Sequence, residues 1–127
     1  MLTSDVLDTR GYDYATFIVI GTTSNTATNN PSTLSVTEGD TTSSMAAIAT
    51  LTGDNTTSGF TIPNSPTATT TAPFAVINVN CIRRKRYLTV NIVPTTTQTF
   101  TVLALLSRAE QAPVSATDVN AAVVVNA

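Results

Sequence analysis

Four consecutive basic residues are the most concentrated chemical feature of this chain: Arg83, Arg84, Lys85 and Arg86. They hold four of its six lysine and arginine residues and stand directly before a predicted strand. Such a run is either a solvated hairpin turn or an ion-pair cluster between subunits, because bidentate arginine is favoured at protein interfaces. Nucleic acid is not expected as a partner, since the rest of the chain is acidic and carries no aromatic residues interleaved with the basic ones.

Catalytic chemistry has few candidates elsewhere in the sequence. The chain has no histidine, which excludes Ser-His-Asp catalysis, Cys-His catalysis and histidine-bound metals. Asp8 and Asp13 flank the first long strand, and Glu38, Asp40 and Asp54 fall in predicted turns, where acids usually cap the backbone. There is no glycine-rich phosphate loop and no Cys-x-x-Cys motif. We therefore expect no enzymatic activity, no metal and no cofactor.

Cysteine and tyrosine offer two weaker interpretations. The lone Cys81 precedes the basic run, where arginines would lower its pKa, yet a single cysteine is more often a small buried hydrophobe. We expect Cys81 to be buried. Tyr12, Tyr14 and Tyr87 would stack on a sugar if they shared one face, although packing at the starts of strands is the simpler interpretation. Carbohydrate binding therefore stays open as an alternative.

The elements that must position these residues are short β-strands. The chain is 42% hydrophobic and only 11% charged, and it is rich in the β-branched residues that pack well on a pleated sheet. Alternation places Leu34 and Val36 on one face of a strand, and Leu88, Val90 and Ile92 on one face of another. Comparable patterns predict strands over residues 14–20, 33–38, 74–80, 86–93 and 99–107.

Two segments are harder to place. Met45, Ile48 and Leu51 match helical spacing, but the surrounding turns and strands favour a strand over residues 45–51. Residues 99–107 are apolar on both faces, which predicts either a central strand or a strand at an interface. The count of six to eight short strands, with no long helical window, predicts an all-β fold: an antiparallel β-sandwich of jelly-roll-like type.

A single domain is expected from 127 residues. We predict an N-terminal arm over residues 1–13, the sandwich over residues 14–111 and a C-terminal arm over residues 112–127, with both arms extended and docked on adjacent copies. The first residues lack the basic and apolar regions of a secretory signal, and no apolar run approaches the ~20 residues that span a bilayer. Synthesis in the cytoplasm and no membrane partner are expected.

Five segments taken together carry a resemblance: residues 7–14 (LDTRGYDY), 34–40 (LSVTEGD), 59–63 (GFTIP), 84–88 (RKRYL) and 106–114 (LSRAEQAPV). They extend over nearly the whole chain and resemble a group of small tailed-phage virion proteins. The resemblance implies a capsid decoration (cement) protein, built as a β-sandwich, often trimeric and without a catalytic motif. Asn80, Cys81 and Ile82 depart from the glycine that such proteins place near the basic run, which leaves the turn geometry open.

The resemblance also implies a location and partners. It predicts a protein made in the host cytoplasm that binds the major capsid protein on the virion surface as a homo-oligomer, a trimer. The hypothesised subunit-interface residues are Arg83, Arg84, Lys85, Arg86, Arg108, Tyr12 and Tyr14. The alternatives are another minor virion component, from tail, neck or fibre, and a carbohydrate-binding or receptor-binding β-domain.

Overall fold

The fold is seen in a computed structural model that describes residues 1–21, 31–54, 57–62, 75–95, 99–108 and 123–126. These residues form β-strands joined by turns and contain no helix, which confirms the predicted all-β class. The strands are β1 (Leu2–Thr3), β2 (Leu7–Asp8), β3 (Tyr14–Gly21), β4 (Thr33–Thr41), β5 (Ser44–Thr52), β6 (Ala75–Asn80), β7 (Tyr87–Val93), β8 (Phe100–Ser107) and β9 (Val123–Asn126).

Two sheets make up the sandwich. In the first sheet, β1 and β2 follow one another along the outer edge of β7, β4 pairs with the other edge of β7, and β5 pairs with β4. The second sheet has the order β8-β3-β6-β9. The pairs are antiparallel, as predicted, with one exception: β9 runs parallel to β6.

Alternating side chains of the two sheets form one core. The residues that the sequence pattern placed on the inner faces are buried, including Leu34 and Val36 of β4 and Leu88 and Val90 of β7. They pack in one cluster with Phe17 of β3, which is only 1% exposed. Burying one large aliphatic side chain contributes about 1.5–3 kcal/mol, so this cluster accounts for the cohesion of the two sheets.

The strand β5 contains a bulge that explains its helix-like spacing. Its pairing with β4 shifts between Thr37↔Ala47 and Ser35↔Thr52, so five positions of β5 span only two of β4. Within the bulge, the Thr52 hydroxyl donates a hydrogen bond of 2.8 Å to the Ile48 carbonyl. Ile48 and Leu51, three residues apart, both reach the core as a result. The strand predicted over residues 45–51 is confirmed.

The strand β4 is longer than its sequence suggested. Glu38 and Asp40 were expected in a turn, but pairing with β7 continues to Gly39↔Tyr87, and β4 ends at Thr41. Gly39 makes the tight β4–β5 connection possible, because a Cβ atom there would collide with the Ser44 carbonyl and the Met45 sulfur. Because β4 continues along β7 to Gly39, Glu38 and Asp40 lie beside the basic residues that precede β7.

The first 13 residues were predicted as an extended arm docked on adjacent copies, but the structure places their strands in the chain's own first sheet. Their strands β1 and β2 pair with β7 of the same chain. Between β1 and β2, the Ser4 amide donates to the Val90 carbonyl at 2.9 Å, and the Ser4 hydroxyl accepts the Val90 amide at 3.0 Å. A side-chain oxygen thus replaces a backbone acceptor where the strand is interrupted. The segment therefore serves its own sheet.

The predicted C-terminal arm is described only in part. Residues 123–126 lie in the second sheet as β9, where Val125 packs against the core. The rest of the range 112–127 lies outside the described residues, and so does the predicted boundary between sandwich and arm at residues 111 and 112. Phe74, the first residue of the predicted strand 74–80, also lies outside them. Where the segment is described, it pairs with its own chain.

Candidate functional site

Two neighbouring connections build one end of the sandwich. Residues 81–86 join β6 to β7, and the Arg84 amide closes the turn by donating a hydrogen bond of 3.1 Å to the Cys81 carbonyl. Residues 9–13 join β2 to β3 alongside it. The Thr9 amide and hydroxyl both donate to the Arg86 carbonyl, at 3.0 and 2.8 Å, and the Cys81 amide donates to the Asp13 carbonyl at 2.7 Å. These bonds hold the two loops side by side.

All six basic residues of the chain lie at this end. Arg10 belongs to the 9–13 loop, and Arg108 follows β8 and donates from Nε to the Gly11 carbonyl at 2.7 Å. We call this surface the basic end; it comprises Arg10, Arg83, Arg84, Lys85, Arg86 and Arg108. Sequence reasoning missed Arg10, because its placement beside residues 81–86 depends on β2 pairing with β7 across most of the chain.

Three of the four consecutive basic residues form ion pairs with carboxylates of the same chain. Arg86 binds Asp8 through two hydrogen bonds, Nε to Oδ1 at 2.9 Å and Nη2 to Oδ2 at 2.6 Å. Lys85 lies 3.3 Å from Asp40. Arg84 lies 3.8 Å from Glu38, whose second oxygen accepts the Lys85 amide at 3.1 Å. The charge that these residues were expected to offer a neighbouring subunit is therefore largely compensated internally.

Arg86 and Asp8 form the shortest ion pair found among the described residues of the basic end. The hydrogen bond from Arg86, helped by the backbone amide of Arg10, lowers the pKa of Asp8 from 3.8 to about 2. The same contact raises the pKa of Arg86. The Arg86 guanidinium also lies over the Tyr87 ring, 4.9 Å from its centroid. A stacked and doubly hydrogen-bonded arginine is held in one orientation, so its role is to fasten β2 to β7.

Three arginines of the basic end have no carboxylate partner among the described residues: Arg10, Arg83 and Arg108. Arg83 is exposed on the turn that closes the 81–86 loop, beside exposed Ile82. The Arg108 guanidinium lies 6.0 Å from the centroid of the Tyr12 ring, and Tyr12 is 44% exposed. Among the described residues, these are the groups of the basic end that no carboxylate neutralises.

The tyrosines do not form a common platform. Tyr87 alternates with buried Leu88 in the first sheet and therefore lies on the outer face of that sheet. Tyr14 alternates with buried Ala15 in the second sheet and lies on the opposite outer face of the sandwich. The sugar-stacking arrangement that would need Tyr12, Tyr14 and Tyr87 on one face is wrong.

Groups suited to metal or nucleophilic chemistry are not assembled in the described ranges. No cluster of three or more Cys, Asp and Glu side chains there is arranged to hold a metal ion. Cys81 is buried, as predicted, and burial raises the pKa of its thiol, which keeps it protonated near neutral pH. Nor does this part of the chain contain a helix long and apolar enough to cross a membrane.

A second surface lies along β8, the edge strand of the second sheet. Its residues pair with β3 in unbroken register from Tyr14↔Ser107 to Gly21↔Phe100. Leu103 and Leu105 point to the outer face and are 50% and 57% exposed. Residues 99–107 were predicted as a central strand or a strand at an interface, and β8 has a neighbour on one side only among the described strands, which favours the interface. No residue of β8 is charged.

A groove opens beside the inner face of β8. It has a volume of about 260 Å³ and is lined by residues of β8 and of the β1–β2 edge, together with Phe17 of the core. We call it the lateral groove. Apolar side chains line it from both sheets, among them Val90, Ile92, Phe100 and Val102. The sandwich is thus less completely closed along this side.

The geometry defines a β-sandwich with a charged end and an apolar side. No protein-family model matches the chain, and comparisons with curated proteins and with solved structures likewise return no similar protein.

Proposed function

We propose that this chain is a structural, non-catalytic protein that decorates the outer surface of a phage capsid, with the basic end facing the shell. The observation that carries the proposal is the gathering of all six cations at one end, three of them without a carboxylate partner in the described chain. Arg10, Arg83 and Arg108 would meet acidic groups of the major capsid protein. The sequence resemblance supplies the identity of that partner.

The internal ion pairs contribute by holding the contact residues in place. Asp8 and Glu38 fix the 81–86 loop through Arg86, Arg84 and the Lys85 amide, so Arg83 is presented from an ordered turn. An ordered arginine loses less conformational entropy when it binds a carboxylate. Hydrogen bonds to charged groups contribute about 1.5–3 kcal/mol, which is enough for Arg83 to matter individually.

Several weak contacts acting together would stabilise the shell. Interfaces of about 800 Å² per partner are of standard size for specific binding, and linked copies engage their sites with avidity. Because such a protein binds only the assembled shell, occupancy at about 100 times the dissociation constant stabilises each site by ~2.7 kcal/mol. The trimer implied by the resemblance is one way to link copies, and any closed oligomer would serve.

The test uses heads of the same phage from which the gene for this protein has been deleted. We expect the purified protein to co-sediment with these heads, and Arg83→Ser to weaken binding about tenfold or more, the equivalent of ~1.4 kcal/mol. Lys85→Ser is the matched control: it removes the same charge from a neighbouring residue that Asp40 already neutralises.

Each outcome has a definite meaning. Failure of the wild-type protein to bind the heads would refute the proposed function. Unchanged binding by Arg83→Ser would remove Arg83 from the interface, and equal weakening by Arg83→Ser and Lys85→Ser would show that net charge matters and that Arg83 makes no individual contact. Glycan binding by the isolated protein would favour the receptor-binding alternative, for which the separated Tyr14 and Tyr87 give no structural support.

A further inference from the structure

We infer that two copies of this chain associate through antiparallel pairing of β8 with β8, forming a two-fold dimer with one continuous sheet. This inference is independent of the proposed function, because it concerns the side of the sandwich and not the basic end. It begins from the four strand edges that the described residues leave at the borders of the two sheets: β1–β2, β5, β8 and β9.

Three of these edges carry features that discourage pairing with another chain. The β1–β2 edge consists of two strands of two residues, interrupted at residues 4–6, where exposed Asp5 stands. The β5 edge is distorted by its bulge. The β9 edge is only four residues long. Short strands, bulges and charges are the usual protections of natural sheet edges.

The β8 edge has none of these protections. It is eight residues long, FTVLALLS, with no charge, proline or glycine, and its register with β3 is unbroken. A long, regular, apolar edge strand presents unpaired backbone groups that another strand can bind. Leu103 and Leu105 make it apolar on its outer face as well. Such a strand is expected to be covered in the working protein.

A second copy is the partner that fits this edge. Each copy offers the same open strand, and pairing β8 with one of the other three edges would meet a bulge, an interruption or a short strand. In the register centred on Ala104, Leu103 of one copy faces Leu105 of the other, and Val102 faces Leu106. No like charges are opposed. Because both copies use the same strand, the contact closes on itself and gives a dimer rather than a fibre.

The lateral groove gives the pairing a second contribution. Val102 and Phe100 line the groove from the inner face of β8 and are only partly buried. Inner-face side chains of a paired β8 would lie along the mouth of this groove and cover apolar surface there. The interface is nevertheless small, since eight strand residues extend only about 27 Å. We expect a dissociation constant on the order of micromolar.

Analytical ultracentrifugation of the isolated chain, from about 1 to 200 µM, tests the dimer without heads. Wild-type protein should pass from monomer to dimer over this range. In Leu103→Lys/Leu105→Lys, like charges face each other twice, and association should weaken about tenfold or more. The control Thr42→Lys/Thr50→Lys adds the same charge at exposed positions of the β4–β5 hairpin and should dimerise normally.

A charge-swap variant tests the register and controls for folding. In Leu103→Lys/Leu105→Glu, opposite charges face each other across the two-fold axis, so dimerisation should return. Both positions are at least half exposed, and the urea midpoints of all variants should match the wild type. The inference would be overturned if the wild type stays monomeric or forms a trimer, or if the double-lysine variant still forms a dimer. Failure of the charge swap to restore dimerisation would also overturn it. All of these results are read from the isolated chain, so a failure of the inferred dimer is distinguishable from a failure to bind heads.

Discussion

Asp8 connects the N-terminal strands to the basic end through a single carboxylate. It accepts two hydrogen bonds from Arg86 and one from the Arg10 amide, and its pKa falls to about 2. A carboxylate whose pKa is lowered by folding stabilises the folded state at pH values above its ordinary pKa of 3.8. That contribution is lost as the pH falls from about 4 toward about 2.

Replacing Arg86 should raise the pKa of Asp8. In Arg86→Gln, we expect the titration midpoint of the Asp8 carboxyl to move from about 2 toward its ordinary value of 3.8, because the strongest hydrogen bond that favours its charged form is gone while the Arg10 amide remains. Carbon-detected NMR of the side-chain carboxyl measures this midpoint directly. Arg83→Gln is the control, since Arg83 has no carboxylate partner among the described residues, and an Asp8 midpoint that stays near 2 in Arg86→Gln would contradict the assignment.

Burial of individual residues was predictable from sequence where the signal is local. Alternation placed Leu34, Val36 and Leu88 correctly, and composition alone favoured burial of Cys81. The partner of Arg86 was not predictable, because Asp8 lies 78 positions earlier in the chain. Sequence reasoning therefore found a concentration of positive charge but assigned its compensation to another subunit.

At the scale of elements, the bulge in β5 determines which side chains reach the core. In a regular strand, residues three apart point to opposite faces, so Ile48 and Leu51 could not both be buried. The bulge brings both inward and leaves Ala49 and Thr50 exposed. A helical period and a bulged strand give the same three-residue spacing, which is why periodicity alone left the segment ambiguous.

Truncating one of the two core residues in the bulge should be costly. We expect Leu51→Ala to lower the free energy of unfolding by about 2–5 kcal/mol, because Leu51 is fully buried. Thr50→Ala, at the neighbouring exposed position, should change it by less than about 0.5 kcal/mol. Urea denaturation followed by circular dichroism gives both values. Similar losses in the two variants would mean that the bulge does not direct Leu51 inward.

The sequence predicted which segments are strands better than it predicted which strands pair with each other. The predicted strands with described residues are present, and the ends of β3 and β7 agree with the sequence patterns to within a residue. The extension of β4 through Glu38 and Gly39 was missed because turn-forming residues there are paired by β7 instead. The strand β8 shows the same limit, since its apolar faces could not distinguish a central strand from an edge.

At the scale of the whole molecule, charge is distributed unevenly along the sandwich. Among the described residues, six cations lie with four carboxylates at the basic end, Asp8, Asp13, Glu38 and Asp40, although the chain carries a net charge of −2. The described part of the basic end therefore carries a net positive charge. A molecule polarised in this way approaches an acidic surface with that end first, and salt should slow the approach.

The N-terminal segment should matter for the stability of the whole sandwich. Deleting residues 1–8 would remove β1 and β2, uncover one edge of β7 and widen the lateral groove. We expect a lower urea midpoint and concentration-dependent aggregation measured by light scattering. The control Asp5→Ser/Val6→Ser changes exposed residues between the two strands and should keep the midpoint. A deletion variant as stable and soluble as the wild type would contradict this role.

The pairing of β1 and β2 with β7 also has a consequence for the order in which the protein is made. Ser4 leaves the ribosome 86 residues before Val90, an interval of about 4–17 s at ordinary synthesis rates. The partner that covers the edge of β7 is therefore always present before β7 itself emerges. The segment that is made first and is unpaired until β7 emerges is the short β1–β2 segment, whose residues are mostly exposed and partly polar. The edge of β7, which would be prone to aggregation if it were open, is made after the strands that pair with it.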